Sequence, residues 1–414
     1  MTALVSVLNK RGAAMAADSA MTVSGNGNTK IYNNEQKIFP LSNSNPIGVM
    51  ICNNLSFLNT PLSLVFELYK SERGERKFSS LTGYVEDFVE YLQSLRSLQS
   101  NDLKNVFYQN EFIQLIRSFK SLVEENIQIQ NKNSNLTEVE VTQNAYLMAL
   151  NTWKEAVIDE EINPRLKNFS KEDYLKYIVE PNEEVFKSFQ EDFPDMTEEY
   201  WNRIIEYCYR DLVNNTFGGY QGSEIIFVGY GENDIFPASQ RLYLLGIVGD
   251  ILKYNIEEIS EISHHNSAEI RPFAQTDVMI TLMKGVSPKS DSEYRDATVE
   301  LEESIVNEIF SLLEKEKVSP EIIESVKNLD FDKIHERYND RIAKFIHENF
   351  VSGVVDALEC FNLEEMAKMA ENLIAVTNLQ RHISSSEESV GGPIEVASIT
   401  KTGGFKWVKH YNLA

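Results

Sequence analysis

The start of the chain constrains its fold more than any other segment. Residues 2–8 (TALVSVL) and 13–18 (AAMAAD) are short apolar runs of strand length, separated by Asn9, Lys10, Arg11 and Gly12, a polar connection closed by glycine. Such a pair folds as an antiparallel hairpin, and its turn carries Asp18 back beside the first residues. Pairing Leu8 with Ala13 sets Ala3 opposite Asp18 and Thr2 opposite Ser19. A slip of one residue exchanges the two faces, and the sequence alone leaves both registers open.

A second pair of strands is expected at residues 37–41 (KIFPL) and 47–52 (IGVMIC), joined by a turn rich in Ser, Asn and Pro. Pro40 places the first of them at a sheet edge or ends it early. Helical spacing follows over residues 58–69 and 84–95. Residues 99–221 read as an insertion, a helical subdomain interrupted by a mobile loop at 126–144, with Asp195 and Glu198 as a capping box for a helix reaching Asn214. Strand signals return at 223–228, 241–247 and 261–270, and a second helical stretch fills 292–354, where Ser319-Pro320 starts a helix. Asn362 and Glu365 form another capping box ahead of a helix with Leu363, Met366, Ala370, Leu373 and Ile374 on one face. The chain closes on a hairpin, IEVASIT and FKWVK around a Gly-Gly turn.

Charge and composition exclude several functions. A formal charge of -24 repels phosphate backbones and anionic membrane surfaces, so neither nucleic acid nor a membrane is an expected partner. Cys52, Cys208 and Cys360 are too few for a disulfide framework and too dispersed for a metal knuckle, which fits a reducing cytoplasm. No secretory signal and no bilayer-length apolar run is present. Phosphate-binding GKS/T loops, HExxH helices and Gly-x-Ser-x-Gly elbows are also missing, and the six histidines have no metal-ligand spacing. No metal or organic cofactor is implied.

The run TALVSVLNKRGAAMAADSAMT, followed by QKIFPL and IGVMICNN, resembles the start of proteasome β subunits and their bacterial HslV-type relatives, which are N-terminal-nucleophile hydrolases. The shared features are a threonine-led first strand, Ala-Asp-Ser closing the second, a Lys-Ile third strand and a fourth ending at small residues. The resemblance covers residues 2–98 well, 223–285 and 360–410 more weakly, and the insertions not at all. It implies an α+β fold, a four-layer sandwich of two antiparallel sheets with helices outside. The chain then divides into a first core part at 2–98, a mainly helical insertion at 99–221, core strands at 222–287, a helical insertion at 288–358 and a closing core helix and hairpin at 359–414.

The implied chemistry is that of a threonine-type peptidase or amidohydrolase. With Met1 removed, the Thr2 hydroxyl attacks an amide carbonyl and the free α-amine of the same residue takes the proton. An α-amine suits that task because its ordinary pKa, about 7.7–8.0, leaves a neutral fraction near pH 7. Lys37 is the matching cation, expected to lower the amine's pKa, and Asp18 the anion that holds the lysine. Lys30 stands nearer the family's usual spacing but has no strand directly after it. Asn53 occupies the oxyanion position where the family has glycine, and its backbone N–H is the expected donor. Glu387, Ser389 and Gly391-Gly392 resemble the family's supporting cluster, with Val390 where the serine is expected, and Phe273 to Asp277 replaces a Gly-rich segment. A peptide or protein substrate is expected, and homo-oligomers are possible. The alternative is a non-catalytic scaffold or interaction subunit of the same fold, which the two acidic insertions would suit.

Overall fold

The computed structural model describes residues 2–25, 28–33, 35–133, 136–158, 160–214, 222–315, 318–319, 321–322, 324, 331–383 and 391–411. The N-terminal runs form β1 (Leu4–Asn9) and β2 (Gly12–Asp18) in the register that pairs Leu8 with Ala13 and Leu4 with Ala17. Backbone and side-chain hydrogen bonds between Ala3 and Asp18 continue that register past the strand ends. The strands that follow are β3 (Met21–Gly25), β4 (Asn28–Tyr32), β5 (Ile38–Pro40), β6 (Ile47–Asn53), β7 (Ser56–Phe57) and β8 (Thr60–Pro61). Later come β9 (Ser223–Gly229), β10 (Ala238–Val248), β11 (Ile251–Ile256), β12 (Ser260–Glu261), β13 (Ala268–Phe273), β14 (Ile394–Thr400) and β15 (Gly404–Lys409). The protein is a mixed helical and antiparallel-sheet molecule of two compact units, Met1–Ile38 with Ile235–Ala238 and Glu261–Ala414, and Phe39–Asp234 with Ser239–Ser260.

The first unit is built on a five-stranded antiparallel sheet in the order β13-β1-β2-β14-β15. Every residue of β1 and β2 is buried, because both strands are interior to the sheet and carry almost only small and aliphatic side chains. One face, with Ala3, Val5, Val7, Ala14, Ala16 and Val396, packs on Met366, Ala367, Ala370, Leu373 and Ile374 of the helix Leu363–Ile383. The alanines of β2 let that helix approach closely. Its start is fixed as the sequence requires: the Asn362 N–H donates to Glu365 at 2.8 Å and the Glu365 N–H to the Asn362 side chain at 3.0 Å. Asn9 pins the hairpin to the same region. Its buried amide donates to the Leu358 and Phe361 carbonyls at 2.9 and 3.0 Å while its oxygen accepts from Arg11 N–H at 2.8 Å. At Gly12 a β-carbon would stand 2.7 Å from the Ile399 carbonyl, so the turn needs glycine.

The second unit holds a sheet in the order β11-β10-β9-β6-β5. β5 is the edge strand, as Pro40 demands, and the Leu41 N–H meets the Ile47 carbonyl at 3.1 Å. Its larger core is helical. Phe107, Phe112, Ile116, Phe119, Ala145, Ala149, Trp153, Trp201 and Ile204 pack together from the helices Asn101–Asn133, Glu138–Ile158 and Glu198–Val213. The mobile loop expected at 126–144 is corrected here, since helix runs through Asn133 and resumes at Glu138. Packing of Ile116, Phe119 and Val123 with Ala145 and Tyr146 overrides the weak local periodicity. The capping box expected at Asp195 is also corrected: Thr197 caps that helix, accepting from Tyr200 N–H, which leaves Asp195 in a left-handed turn with φ +61. The expected strand at 261–270 is displaced to Ala268–Phe273, where β13 finds its partner in β1. Pro320 lies outside the described residues. No helix among the described residues is long and apolar enough to cross a membrane.

The contact of helix and sheet in the first unit should dominate its stability. Ile374→Ala, at a position with no solvent exposure, is expected to cost about 2–5 kcal/mol, read as a lowered denaturant midpoint.

Candidate active site

The hairpin register places the end of β2 beside the residues that lead into β1, and Asp18 is held there from three sides. Its Oδ1 accepts from the Ala3 N–H at 2.9 Å, its Oδ2 accepts from the Gly391 N–H at 3.1 Å, and its own N–H donates to the Ala3 carbonyl at 3.2 Å. Ile394 on β14 pairs with Asp18, so the Gly-Gly segment leading into β14 comes to the carboxylate. Gly392 has φ +73, and a β-carbon there would meet the backbone of Asn33 at 3.0 Å, so this approach depends on glycine.

Lys37 completes the group. The Glu35 N–H donates to the Ser19 carbonyl at 3.1 Å, which ties the segment before β5 to the end of β2. Lys37 then turns its side chain inward, where Nζ donates to Thr2 Oγ1 at 2.9 Å, Asp18 Oδ1 at 2.9 Å and the Ala20 carbonyl at 2.5 Å. An ammonium has three N–H donors, and three oxygens take them. Neither Lys37 nor Asp18 has any side-chain exposure, and Thr2 is 6% exposed. A buried charge is tolerated only when paired and hydrogen-bonded, so this arrangement fixes the lysine as a cation. It cannot also serve as a base. The Thr2 hydroxyl oxygen, as acceptor of a charged donor, is biased toward its anionic form.

The lysine that reaches Thr2 is thus Lys37. Lys30 lies exposed on β4, paired opposite Val23 in the β3–β4 hairpin, which the sequence reading did not find. Asn53 ends β6 in the second unit, exposed and left-handed with φ +62, and its amide donates to Glu224 Oε1 at 2.6 Å. Asparagine tolerates that conformation, as expected. Glu387 and Ser389, together with Val390, lie outside the described residues.

Two features of the first unit were not anticipated. Glu395 on β14 is 2% exposed and pairs with Ala17, next to Asp18 on β2; its Oε1 meets His410 Nδ1 at 2.7 Å. Burial pushes the Glu395 carboxyl above its usual range, opposed by His410 and by the backbone N–H and charge of Lys37. The strand pattern IEVASIT carried the signal, since Glu395 shares a face with Ala397 and Ile399, both buried. The other feature is the end of β13. Leu4 pairs with Phe273, and the next two residues, Ala274 and Gln275, both have left-handed φ, +46 and +43, where the sheet ends near Thr2. Such strain in non-glycine residues is costly and concentrates at functional sites.

No family model matches the sequence, and no curated protein matches it. Two solved structures of the protein Anbu from Hyphomicrobium sp. strain MC1 are similar to the chain. A Gly-1 mutant has 10% identity over 99% of this chain and 86% of that one, with a TM-score of 0.28. The other has 9% identity over 98% and 85%, with a TM-score of 0.27. Likeness at that level carries neither a family nor an activity, so function has to be argued from the site.

Two expectations follow for these residues. Asp18→Asn leaves the Lys37 ammonium buried without its counter-charge and should destabilise the first unit by about 3–5 kcal/mol, whereas Asp18→Asn with Lys37→Met should recover much of that loss in denaturant unfolding. At position 53, Asn53→Gly should leave thermal stability nearly unchanged, while Asn53→Val should lower it by about 1–2 kcal/mol.

Proposed function

We propose that this chain is an N-terminal threonine hydrolase that cleaves amide bonds, with Thr2 as nucleophile once Met1 has been removed. The observation that supports it is the buried contact of Lys37 Nζ with both Thr2 Oγ1 and Asp18 Oδ1 at 2.9 Å. A fixed ammonium on the hydroxyl lowers the cost of forming the alkoxide, and Asp18 holds that ammonium in place. Because all three lysine donors are engaged, the proton must go elsewhere. The freed α-amine of Thr2, one bond from the same α-carbon, is the acceptor, and the nearby cation lowers its pKa and raises its neutral fraction. The same amine, once protonated, returns the proton to the leaving amine.

The reading brings with it the four-layer sandwich implied by the sequence resemblance, a peptide or protein substrate, the Asn53 backbone N–H as oxyanion donor, and assembly into homo-oligomers. A cytoplasmic setting belongs to the same reading. A scaffold subunit remains the other reading if the site proves inert.

Intact mass of the mature protein should show the loss of Met1. Thr2→Ala should lower peptide hydrolysis by a factor on the order of 10³ or more, with unchanged circular dichroism, while Thr2→Ser retains a measurable rate. Hydrolysis should rise with pH and level off below about pH 8, the amine being the base. Retention of Met1, or full activity in Thr2→Ala, would refute the mechanism.

A further inference from the structure

The Lys37–Asp18 pair is balanced in charge, but a second buried acid lies beside it. Glu395 is one residue along β14 from Ile394, the partner of Asp18, and on β2 it faces Ala17. Its carboxylate, 2% exposed, interacts with the backbone N–H of Lys37 and with the imidazole of His410 at 2.7 Å. The local strand geometry is built to deliver that imidazole. Val396 pairs with Lys409 and Ala397 with Trp407, so Val408 is an extra residue on β15, a bulge. The bulge reverses the alternation beyond it and puts Trp407 and His410 on one side, where the rings stack at 4.1 Å between centroids and 17° between planes. Trp407 thereby holds His410 against Glu395. The His410 side chain is 25% exposed, so protons can reach it from water, whereas Glu395 is sealed.

We infer that Glu395 is a positioning residue for Lys37 and that His410 is its proton-exchanging partner, so that the protonation of this pair regulates the charge around Thr2. The inference rests on the hydrolase reading where it concerns Thr2; where it concerns Lys37 it rests on the place of Glu395 opposite Ala17, next to Asp18, and on the interaction of its carboxyl with the Lys37 backbone. The charged groups around Glu395 are Asp18 at the end of β2, Lys37 ahead of β5, and Lys409 and His410 at the end of β15, with Lys409 Nζ engaged by Glu371 at 2.5 Å. Lys37 and Asp18 cancel each other. The Glu395–His410 pair is neutral while it shares one proton and carries one negative charge after losing it. Gaining that charge raises the pKa of any amine nearby; neutralising it lowers that pKa and frees the base.

The test uses Glu395→Gln, which keeps the size and the acceptor for Lys37 N–H but removes the charge. In ¹⁵N NMR of the full chain, the buried Lys37 ammonium should show an inflection with pH that coincides with the titration of the His410 ring, followed in the same spectra. In Glu395→Gln that inflection should vanish. The rate at which a threonine-directed electrophile labels Thr2 should keep its plateau in Glu395→Gln while its acid limb moves to lower pH by about half a unit or more. A Lys37 resonance indifferent to His410 overturns the inference whatever the labelling shows. So does a labelling profile of Glu395→Gln that superimposes on the wild type. An inflection in Lys37 with no labelling of Thr2 at any pH upholds the Glu395–His410–Lys37 link and rejects the hydrolase reading instead.

Discussion

The first unit depends on one buried ammonium. Lys37 has no exposed surface, and its charge is tolerable only because Thr2, Asp18 and Ala20 each present an oxygen to it. Those oxygens come from the two ends of one hairpin, Thr2 ahead of β1 and Asp18 with Ala20 at and just past the end of β2, and other contacts bring the group together. The β1–β2 register positions Thr2 and Asp18, the Glu35–Ser19 hydrogen bond brings in Lys37, and the approach of Gly391 to Asp18 ties in β14. Moving any of them leaves a charge in the interior without a partner. That dependence makes the arrangement rigid, and rigidity is what a nucleophile held for attack requires.

The division of labour within the site follows from counting donors and acceptors. A lysine with every N–H engaged is a fixed positive charge and not a proton carrier, so the proposed mechanism gives the proton of the Thr2 hydroxyl to the α-amine. Asp18 Oδ1 already accepts from the Ala3 N–H and from Lys37, and Oδ2 accepts from the Gly391 N–H. Glu395 on β14 and His410 just after β15 form a second hydrogen-bonded pair, close to Lys37. Three buried ionisable side chains, Asp18, Lys37 and Glu395, are costly to keep close together, and their cost is easier to understand at a site that uses electrostatics than in a purely structural core.

Much of this was legible in the amino-acid order and some was not. The hairpin of β1 and β2 could be read because small apolar runs flank a glycine-closed turn, and the Asn362–Glu365 cap because its two residue types reciprocate at fixed spacing. Register was harder. Alternation says little when both faces are buried, and only the structure shows Ala3 opposite Asp18. Lys37 and Lys30 could not be separated by composition; the β3–β4 hairpin carries Lys30 to an exposed position, and Thr, Ser and Gly there gave little strand signal. The helix through residues 126–133 was missed because its polar surface masks a periodicity that matters only when it packs on Glu138–Ile158. Glu395 was visible as an acid on a buried face, but its partner arrives through a bulge, and bulges change parity without leaving a mark in the pattern.

The central claim, that Lys37 and Asp18 make Thr2 a reactive nucleophile, is tested most directly by mapping the adduct of a threonine-directed electrophile on the intact protein by peptide mass spectrometry. The account predicts one equivalent of label, confined to an N-terminal peptide that begins at Thr2, and its loss in the double variant Asp18→Asn with Lys37→Met, which leaves no unpaired charge in the interior and keeps the circular dichroism of the wild type. Label distributed elsewhere, or undiminished in that folded double variant, would contradict it.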